Sequence, residues 1–299
     1  MKHIFIINPT AGKQDSRQRI YDMAKELREK HELDVQCILT KKQGHATEIA
    51  RKLCKEGGEL RFYACGGDGT ANEVANGILG FDNAAMTMVP VGTGNDLLKN
   101  FGDDLEKFRD VENLWDGPVF PMDVIEVNGR YALTIACSGI DARVAADVHK
   151  YSESPLLDGK SSYIVSLLVN FFFKGIGSHW KVEMDGEEME GDWSLVSVCN
   201  GRYYGGGFMP VAEARMDDGV LNTLVVQKVT RRAFIRFVGP YSKGEYYKFP
   251  HLAQCYTPKV VRITSEKPDI VTCLDGECIQ GSEVTIRLAD KKLNLFGPA

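Results

Sequence analysis

Long apolar runs are missing from this chain. None reaches the ~20 residues that a membrane-spanning helix needs, and the opening Met1-Lys2-His3-Ile4-Phe5-Ile6-Ile7-Asn8-Pro9 is too short in apolar residues for a signal peptide. Basic clusters are scarce too. No run of Lys and Arg exceeds two or three residues, and 36 basic against 41 acidic side chains leave a net charge of −5. That balance gives no support for nucleic-acid binding. The eight cysteines contain no CxxC pair and lie scattered, mostly in apolar strand-like runs, as buried free thiols in a reducing compartment would. Internal repeats and low-complexity segments are absent. So is the P-loop spacing: Gly159-Lys160-Ser161 copies its tail, but Ser154 stands at the first glycine position and no strand precedes it. What remains is a soluble, cytoplasmic, globular protein, with 43% hydrophobic and 26% charged residues.

At 299 residues the length favours two domains. Up to about residue 116 the pattern alternates strand and helix. Strands are expected over 4–7, 35–39, 60–65 and 86–89, and helices over 16–29, 46–54 and 71–79, with a further helix starting at Asp96. Ile20, Met23, Ala24 and Leu27 share one face of the first helix. This rhythm implies a three-layer α/β domain on a parallel sheet, with ligands at the carboxyl ends of the strands. After Trp115-Asp116-Gly117-Pro118 the rhythm changes to many short strands joined by Asn-Gly and Asp-Gly turns. Asn128-Gly129 joins 122–127 to 130–136, and strands follow over 180–184, 195–199, 221–226, 260–264, 270–273 and 284–288. Such a pattern reads as an antiparallel β domain, a sandwich or barrel. Helical inserts are expected over 161–173 and 231–238. The division is placed at 1–118 and 119–289, with the tail 290–299 returning to the first domain.

Gly66-Gly67-Asp68-Gly69-Thr70 joins a buried strand to a helix, and Thr70-Ala71-Asn72-Glu73 has the form of a capping box. Bare backbone and helix-start N–H groups there favour an anion. A carboxylate in the same nest would repel phosphate unless a divalent cation lies between them, so Asp68 points to a nucleotide phosphate with Mg²⁺. A second strand-to-helix loop, Pro90-Val91-Gly92-Thr93-Gly94-Asn95-Asp96, adds a hydroxyl and a second acid. Asn8-Pro9-Thr10-Ala11-Gly12 is a third glycine element, equally readable as an ordinary turn. The dinucleotide fingerprint Gly-x-Gly-x-x-Gly fits neither main loop, which counts against an oxidoreductase of that type. The 161–173 segment reads as a buried helix or a lipid-accepting groove. Arg202-Tyr203-Tyr204-Gly205-Gly206-Gly207-Phe208-Met209 reads as a mobile aromatic loop that either faces substrate or is a plain glycine-rich loop.

These motifs, with Asn72-Glu73-Val74-x-Asn76-Gly77, Asp217-Asp218-Gly219-Val220-Leu221 and Leu274-Asp275-Gly276-Glu277, resemble the diacylglycerol kinase catalytic domain family. That family includes bacterial diacylglycerol kinases and sphingosine and ceramide kinases, and the resemblance covers nearly the whole chain in order. It implies a two-domain fold with ATP in the cleft. Asn8, Pro9, Thr10, Ala11, Gly12, Thr40, Gly66, Gly67, Asp68, Gly69, Thr70, Ala71, Asn72 and Thr93 would then contact ATP. Asp68 and Asp96 would help hold the catalytic Mg²⁺, and Glu277 would be the general base. Asp218, with the backbone oxygens of Arg215 and Val220, matches a structural Mg²⁺ site. Two departures stand out: Gly94 lies inside the second loop, and Asn222 follows Leu221 where many members carry an acid.

The expected activity is ATP- and Mg²⁺-dependent phosphorylation of a lipid alcohol, diacylglycerol foremost, giving phosphatidic acid. The lipid would be reached by transient docking on a membrane, with no nucleic-acid partner and an oligomeric state left open, a homodimer included. Sphingoid, polyprenol and glycolipid acceptors remain alternatives. So do a soluble kinase similar to NAD kinase, which shares Gly-Gly-Asp-Gly-Thr, and a silent nucleotide or lipid sensor.

Overall fold

The computed structural model describes residues 1–12, 15–92, 94–152 and 175–298. The expected helix over 161–173, the Gly159-Lys160-Ser161 segment and Thr93 lie outside the described residues. The chain divides into two compact units: Met1–Val124 with Asp290–Ala299, and Ile125–Ala289.

The first unit is built on a six-stranded sheet. Its parallel strands are β1 (Lys2–Ile7), β2 (Asp34–Leu39), β3 (Leu60–Gly66) and β4 (Ala84–Pro90), in the spatial order β2-β1-β3-β4. Every residue of β3 and β4 is buried. This suits near-continuous apolar runs, which fit a parallel sheet covered on both faces rather than one face to water. The covering helices are α1 (Arg17–His31), α2 (His45–Glu56) and α3 (Asp68–Ile78). On α1 the side chains of Ile20, Ala24 and Leu27 are buried, and Met23 is only partly so. The sheet is completed by β5 (Val119–Met122) and by a strand from the chain's end, Leu293–Phe296, which runs parallel to β4 and antiparallel to β5. The buried Arg61 fastens this edge. Its guanidinium donates to the carbonyls of Trp115 and Gly117, each at 2.9 Å, and lies 4.7 Å from the centre of the Phe296 ring.

The second unit is an eleven-stranded antiparallel sheet. Its strands are β6 (Ile125–Val127), β7 (Arg130–Ala132), β8 (Ile135–Gly139), β9 (Ser178–Met184), β10 (Glu187–Cys199), β11 (Asn222–Gln227), β12 (Ala253–Tyr256), β13 (Val260–Thr264), β14 (Ile270–Leu274), β15 (Glu277–Gly281) and β16 (Glu283–Leu288). The main path runs β15-β14-β8-β10-β9-β13-β16-β6-β7, with β11 on β10 and β12 on β11. The strand near the chain's end is β17. Along β10, residues before Trp193 pair with β9 and residues after it with β8, and the register shifts between Trp193 and Leu195. That change of neighbour lets one sheet curl around two apolar cores, one centred on Trp180, Val182 and Ile263, the other on Val226, Phe234 and Phe237. The Asn128-Gly129, Asp185-Gly186 and Asp275-Gly276 turns all have positive φ at both residues. That is the geometry two-residue hairpins demand.

Among the described residues two α-helices belong to this unit: α5 (Ile140–Ser152), which the sequence reading did not foresee, and α6 (Arg231–Tyr241). A four-residue helix, α4 (Asp96–Lys99), belongs to the first unit. All eight cysteines are free. Among the described residues no helix is long and apolar enough to cross a membrane.

Candidate active site

The glycine elements named from sequence meet at the carboxyl ends of adjacent parallel strands. Asn8 to Gly12 follow β1, Thr40 follows β2, Gly66 and Gly67 follow β3, and Val91 to Asn95 follow β4. Backbone bonds tie these ends together. Asn8 N–H donates to the Cys65 carbonyl at 3.0 Å, Thr40 N–H to that of Ile7 at 2.9 Å, and the Val91 and Gly92 amides both donate to the Gly66 carbonyl at 3.1 and 3.2 Å. The Asn8 side chain folds its own loop, accepting from Thr10 N–H and Oγ1 at 3.1 and 2.8 Å, and its amide donates to Thr70 Oγ1 at 3.2 Å. Asn8, Thr10 and Thr70 thus form one hydrogen-bonded group across 62 residues of sequence.

Close approach explains two of the glycines. A Cβ on Gly66 would stand 2.2 Å from Thr70 Oγ1, and one on Gly92 would stand 2.6 Å from the Gly67 Cα, inside the other loop's backbone. The two loops therefore touch through bare backbone. A helix start offers its first amides no carbonyl partner within the helix, so Gly67, Asp68 and Gly69 at the head of α3 present the anion-favouring end of a dipole. Ala71 and Asn72 lie one turn further along α3.

The acids converge at Gly94. A Cβ there would stand 2.7 Å from Asp68 Oδ2 and 3.9 Å from Asp96 Oδ2. Asp68 Oδ1 accepts from the Leu97 amide at 3.2 Å, so the first turn of α4 is held by the residue that opens α3. Asp96 is buried and its Oδ1 takes the Lys99 ammonium at 2.6 Å, an ion pair the sequence reading missed although Asp96 and Lys99 stand one helical turn apart. The two facing carboxylates, with the missing side chain between them, fit a small hard cation. No group of three or more His, Cys, Asp or Glu able to hold a metal occurs among the described residues. Two carboxylates supplemented by phosphate and water is the donor set that suits Mg²⁺ rather than a metal needing an all-protein cage.

The capping box at Thr70 is corrected by the structure. Helix α3 begins at Asp68 with Gly67 as its cap, three residues before the expected start, so Thr70 lies inside the helix. The Glu73 carboxylate instead accepts from the Gly44 and Ala46 amides at 2.8 and 3.1 Å, serving the head of α2. Gly67 takes the extended conformation usual for a helix cap, and the Thr70 and Ala71 amides bond back to its carbonyl at 3.0 and 3.1 Å. Glu73 is then free to satisfy the amides of a neighbouring helix whose own cap, Gly44, has no side chain.

In the second unit Glu277 begins β15 and is exposed, paired in register with Leu274 across the Asp275-Gly276 turn. The residue beside it that sequence reasoning left without a role is Asp275. Its Oδ1 accepts from Thr134 N–H and Ile135 N–H, both at 3.1 Å, and from Thr134 Oγ1 at 2.6 Å; its Oδ2 accepts from the Leu133 amide. This clip fixes the turn that carries Glu277. It also explains why the strand expected over 130–136 is two strands: a carboxylate, not a neighbouring strand, takes the Leu133, Thr134 and Ile135 amides. An Asp with positive φ in an Asp-Gly turn was the available signal.

The Arg215, Asp218 and Val220 segment is an exposed turn. Asp218 Oδ1 accepts from the Val220 amide at 3.0 Å, and Arg215 pairs with Asp217 at 3.2 Å. The expected mobile loop around Tyr204 is anchored. Tyr204 and Tyr241 both donate to Asp141 Oδ2, and the two phenols stand 2.9 Å apart. Burial pushes the Asp141 carboxyl above its ordinary range, against the pull of those two hydrogen bonds. Gly205, Gly206 and Gly207 all have positive φ, which lets the chain reverse beside Tyr204.

Fold and site together define an α/β unit whose strand-end glycine loops carry paired acids, joined in one chain to an antiparallel β unit that presents an exposed acid. The chain belongs to the diacylglycerol kinase family: residues 2–127 match the diacylglycerol kinase catalytic domain, and residues 134–297 match the YegS C-terminal NAD kinase beta sandwich-like domain. It is thus a lipid kinase, a phosphotransferase. It is 27% identical over 283 residues to a diacylglycerol kinase of Bacillus subtilis, covering 91% of this chain and 88% of the relative. It is also 27% identical over 254 residues to the "Probable lipid kinase YegS-like" of Pseudomonas aeruginosa, covering 84% and 82%. A crystal structure of a diacylglycerol kinase from Bacillus anthracis shares the fold, with a TM-score of 0.70 and 21% identity over 99% of this chain and 96% of that one.

Proposed function

We propose that this lipid kinase uses ATP and Mg²⁺ and that diacylglycerol is its acceptor, the product being phosphatidic acid. The observation that carries the reading is the convergence of Asp68 and Asp96 on Gly94, beside two loops that meet through the bare backbone of Gly67 and Gly92. The name of the Bacillus subtilis relative supports diacylglycerol over sphingoid, polyprenol and glycolipid acceptors.

In this reading Asn8 to Gly12, Thr40, Gly66 to Asn72 and Thr93 position ATP, with the amides at the head of α3 turned to its phosphates. Phosphoryl transfer asks little covalent work of a protein and much positioning. When bound, Mg²⁺ neutralises charge on the phosphoryl oxygens, and Asp68 and Asp96 are the residues that would hold it. The acceptor hydroxyl attacks the γ-phosphorus, its proton passes to the Glu277 carboxylate, and ADP leaves. A carboxylate base contributes about 10²–10⁴-fold in rate. Asp218, with the carbonyls of Arg215 and Val220, would order its turn around a second, structural Mg²⁺. The enzyme would work in the cytoplasm, at the membrane surface that holds its substrate.

Labelled ATP offered with a panel of dispersed lipids and with NAD tests the assignment. Transfer to diacylglycerol supports it; transfer to NAD alone, or to no lipid, refutes it. Glu277→Gln is expected to keep ATP affinity and lose at least about 100-fold in turnover, and near-wild-type turnover would remove Glu277 as the base. Asp68→Asn retains an acceptor for the Leu97 amide but loses a charge, so the Mg²⁺ concentration for half-maximal rate should rise sharply. An unchanged Mg²⁺ titration would take Asp68 out of the metal's shell.

A further inference from the structure

Residues 228–243 contain five basic side chains (Lys228, Arg231, Arg232, Arg236 and Lys243) and no acidic one, in a chain whose net charge is −5. Three of the five sit on α6. The Thr230 hydroxyl caps this helix, accepting from the Ala233 amide at 3.3 Å, and Phe234, Phe237 and Tyr241 are buried in the second unit's core. At ~100° per residue the opposite face runs Arg231, Ile235, Arg232, Arg236, and all four are exposed. Ile235 therefore stands between arginines on both sides. It is 66% exposed, more than the terminal Met1 at 57%.

Two features of this face work against stability. Arg231 and Arg232 occupy the first turn, where the helix dipole favours acids, and no acid is there. Ile235 keeps its side chain in water. An isolated exposed isoleucine is ordinary, but one ringed by guanidinium groups has the two parts of an interfacial helix: an apolar centre that enters the headgroup boundary and a cationic rim that meets lipid phosphates. Tyr247, 63% exposed, stands on the single helical turn Tyr246–Lys248 that follows α6, and Phe249 just after that turn packs edge-on against Phe237 of α6. An amphipathic phenol suits the same headgroup layer.

We propose that the outward face of α6, formed by Arg231, Arg232, Ile235 and Arg236, is the surface by which this protein docks on an anionic lipid bilayer; the choice of occupant rests on the reading that its acceptor is a membrane lipid. Charge decides against the rivals. A second copy across a two-fold axis would set arginine against arginine. Nucleic acid would leave the isoleucine without a role.

Sedimentation with vesicles of phosphatidylcholine, alone or mixed with phosphatidylglycerol, tests the proposal without requiring turnover. The wild-type protein should bind the anionic vesicles and leave the neutral ones. Arg232→Gln with Arg236→Gln should weaken that binding on the order of 30-fold, and Ile235→Ser several-fold, while Arg232→Lys with Arg236→Lys retains most of it. Lys52→Gln with Lys55→Gln on α2, the same change in net charge elsewhere, should leave it unchanged. Unfolding curves matching wild type confirm that each variant is folded. The proposal is overturned if wild type ignores anionic vesicles, if the Gln pair binds like wild type, or if the α2 pair loses as much. A shift in oligomeric state without loss of vesicle binding would assign the face to a second copy instead. Turnover on diacylglycerol dispersed in detergent should survive the α6 changes. If no lipid is phosphorylated while the vesicle result stands, the acceptor assignment fails and the docking face does not.

Discussion

Replacing Asp275 separates the contribution of one carboxylate from that of the turn it sits in. Asp275→Asn keeps a residue that favours positive φ in the first position of this hairpin turn, so the turn itself is not perturbed. The asparagine carbonyl can take the place of Oδ1 and keep the Thr134 and Ile135 donors. Its NH₂ then falls where Oδ2 now accepts from the Leu133 amide, donor against donor. A hydrogen bond to a charged acceptor is worth about 1.5–3 kcal/mol, and an unpaired buried donor costs about 1–3 kcal/mol. Because Leu133 is buried, Asp275→Asn should destabilise the second unit by about 2–3 kcal/mol. Asp275→Ala loses all four bonds and adds a left-handed alanine, and should cost about 4–6 kcal/mol. Urea titration followed by tryptophan fluorescence measures this, since the buried Trp180 and Trp193 report the second unit. A loss under about 0.5 kcal/mol for Asp275→Asn, the ordinary size of a surface substitution, would refute the reasoning that this carboxylate holds the strand break.

Gly92→Ala should weaken ATP binding with only a modest loss of stability, because its Cβ would stand 2.6 Å from the Gly67 Cα and force two loops apart; a nucleotide titration showing wild-type affinity would contradict this. His3 predicts an acid limb in stability. Burial first, then the nearby Arg61 charge, lowers its pKa from 6.5 to about 4. The folded protein therefore holds His3 neutral where the unfolded chain takes up a proton, so this contribution is full above pH 6.5 and is lost as the pH falls towards 4. The loss amounts to up to about 3 kcal/mol. His3→Phe should flatten the stability profile between those limits, and an unchanged slope would show that other groups cause it.

The strand-and-helix rhythm of the first unit and its site loops were legible because each signal is local. Buried strands in a parallel sheet are apolar runs, and strand-to-helix turns next to a ligand need glycine. The hairpin turns of the second unit were legible for the same reason, since Asn128-Gly129 and Asp185-Gly186 suit positive φ at both positions. The errors fall where a side chain acts at a distance. Thr70 and Glu73 have capping-box spacing, yet Glu73 serves α2. Residues 130–136 alternate like one strand, yet Asp275 takes the amides in the middle. Helix α5 escaped notice because it follows β8 directly, with no turn residues beyond Gly139 to announce it.

The sequence by itself determined the strand-and-helix order of the first unit, most strands of the second, where bare backbone is needed, and the family to which the chain belongs. Those depend on each residue's own conformational preference and on spacing along the chain. Only the tertiary structure decided which acid meets which partner. Asp68 reaches the Leu97 amide 29 residues on, and Asp275 reaches Thr134 from 141 residues away. Such pairings arise because buried amides must find an acceptor once water is excluded, and which acceptor comes within reach is set by the packing of strands and helices, not by order in the chain.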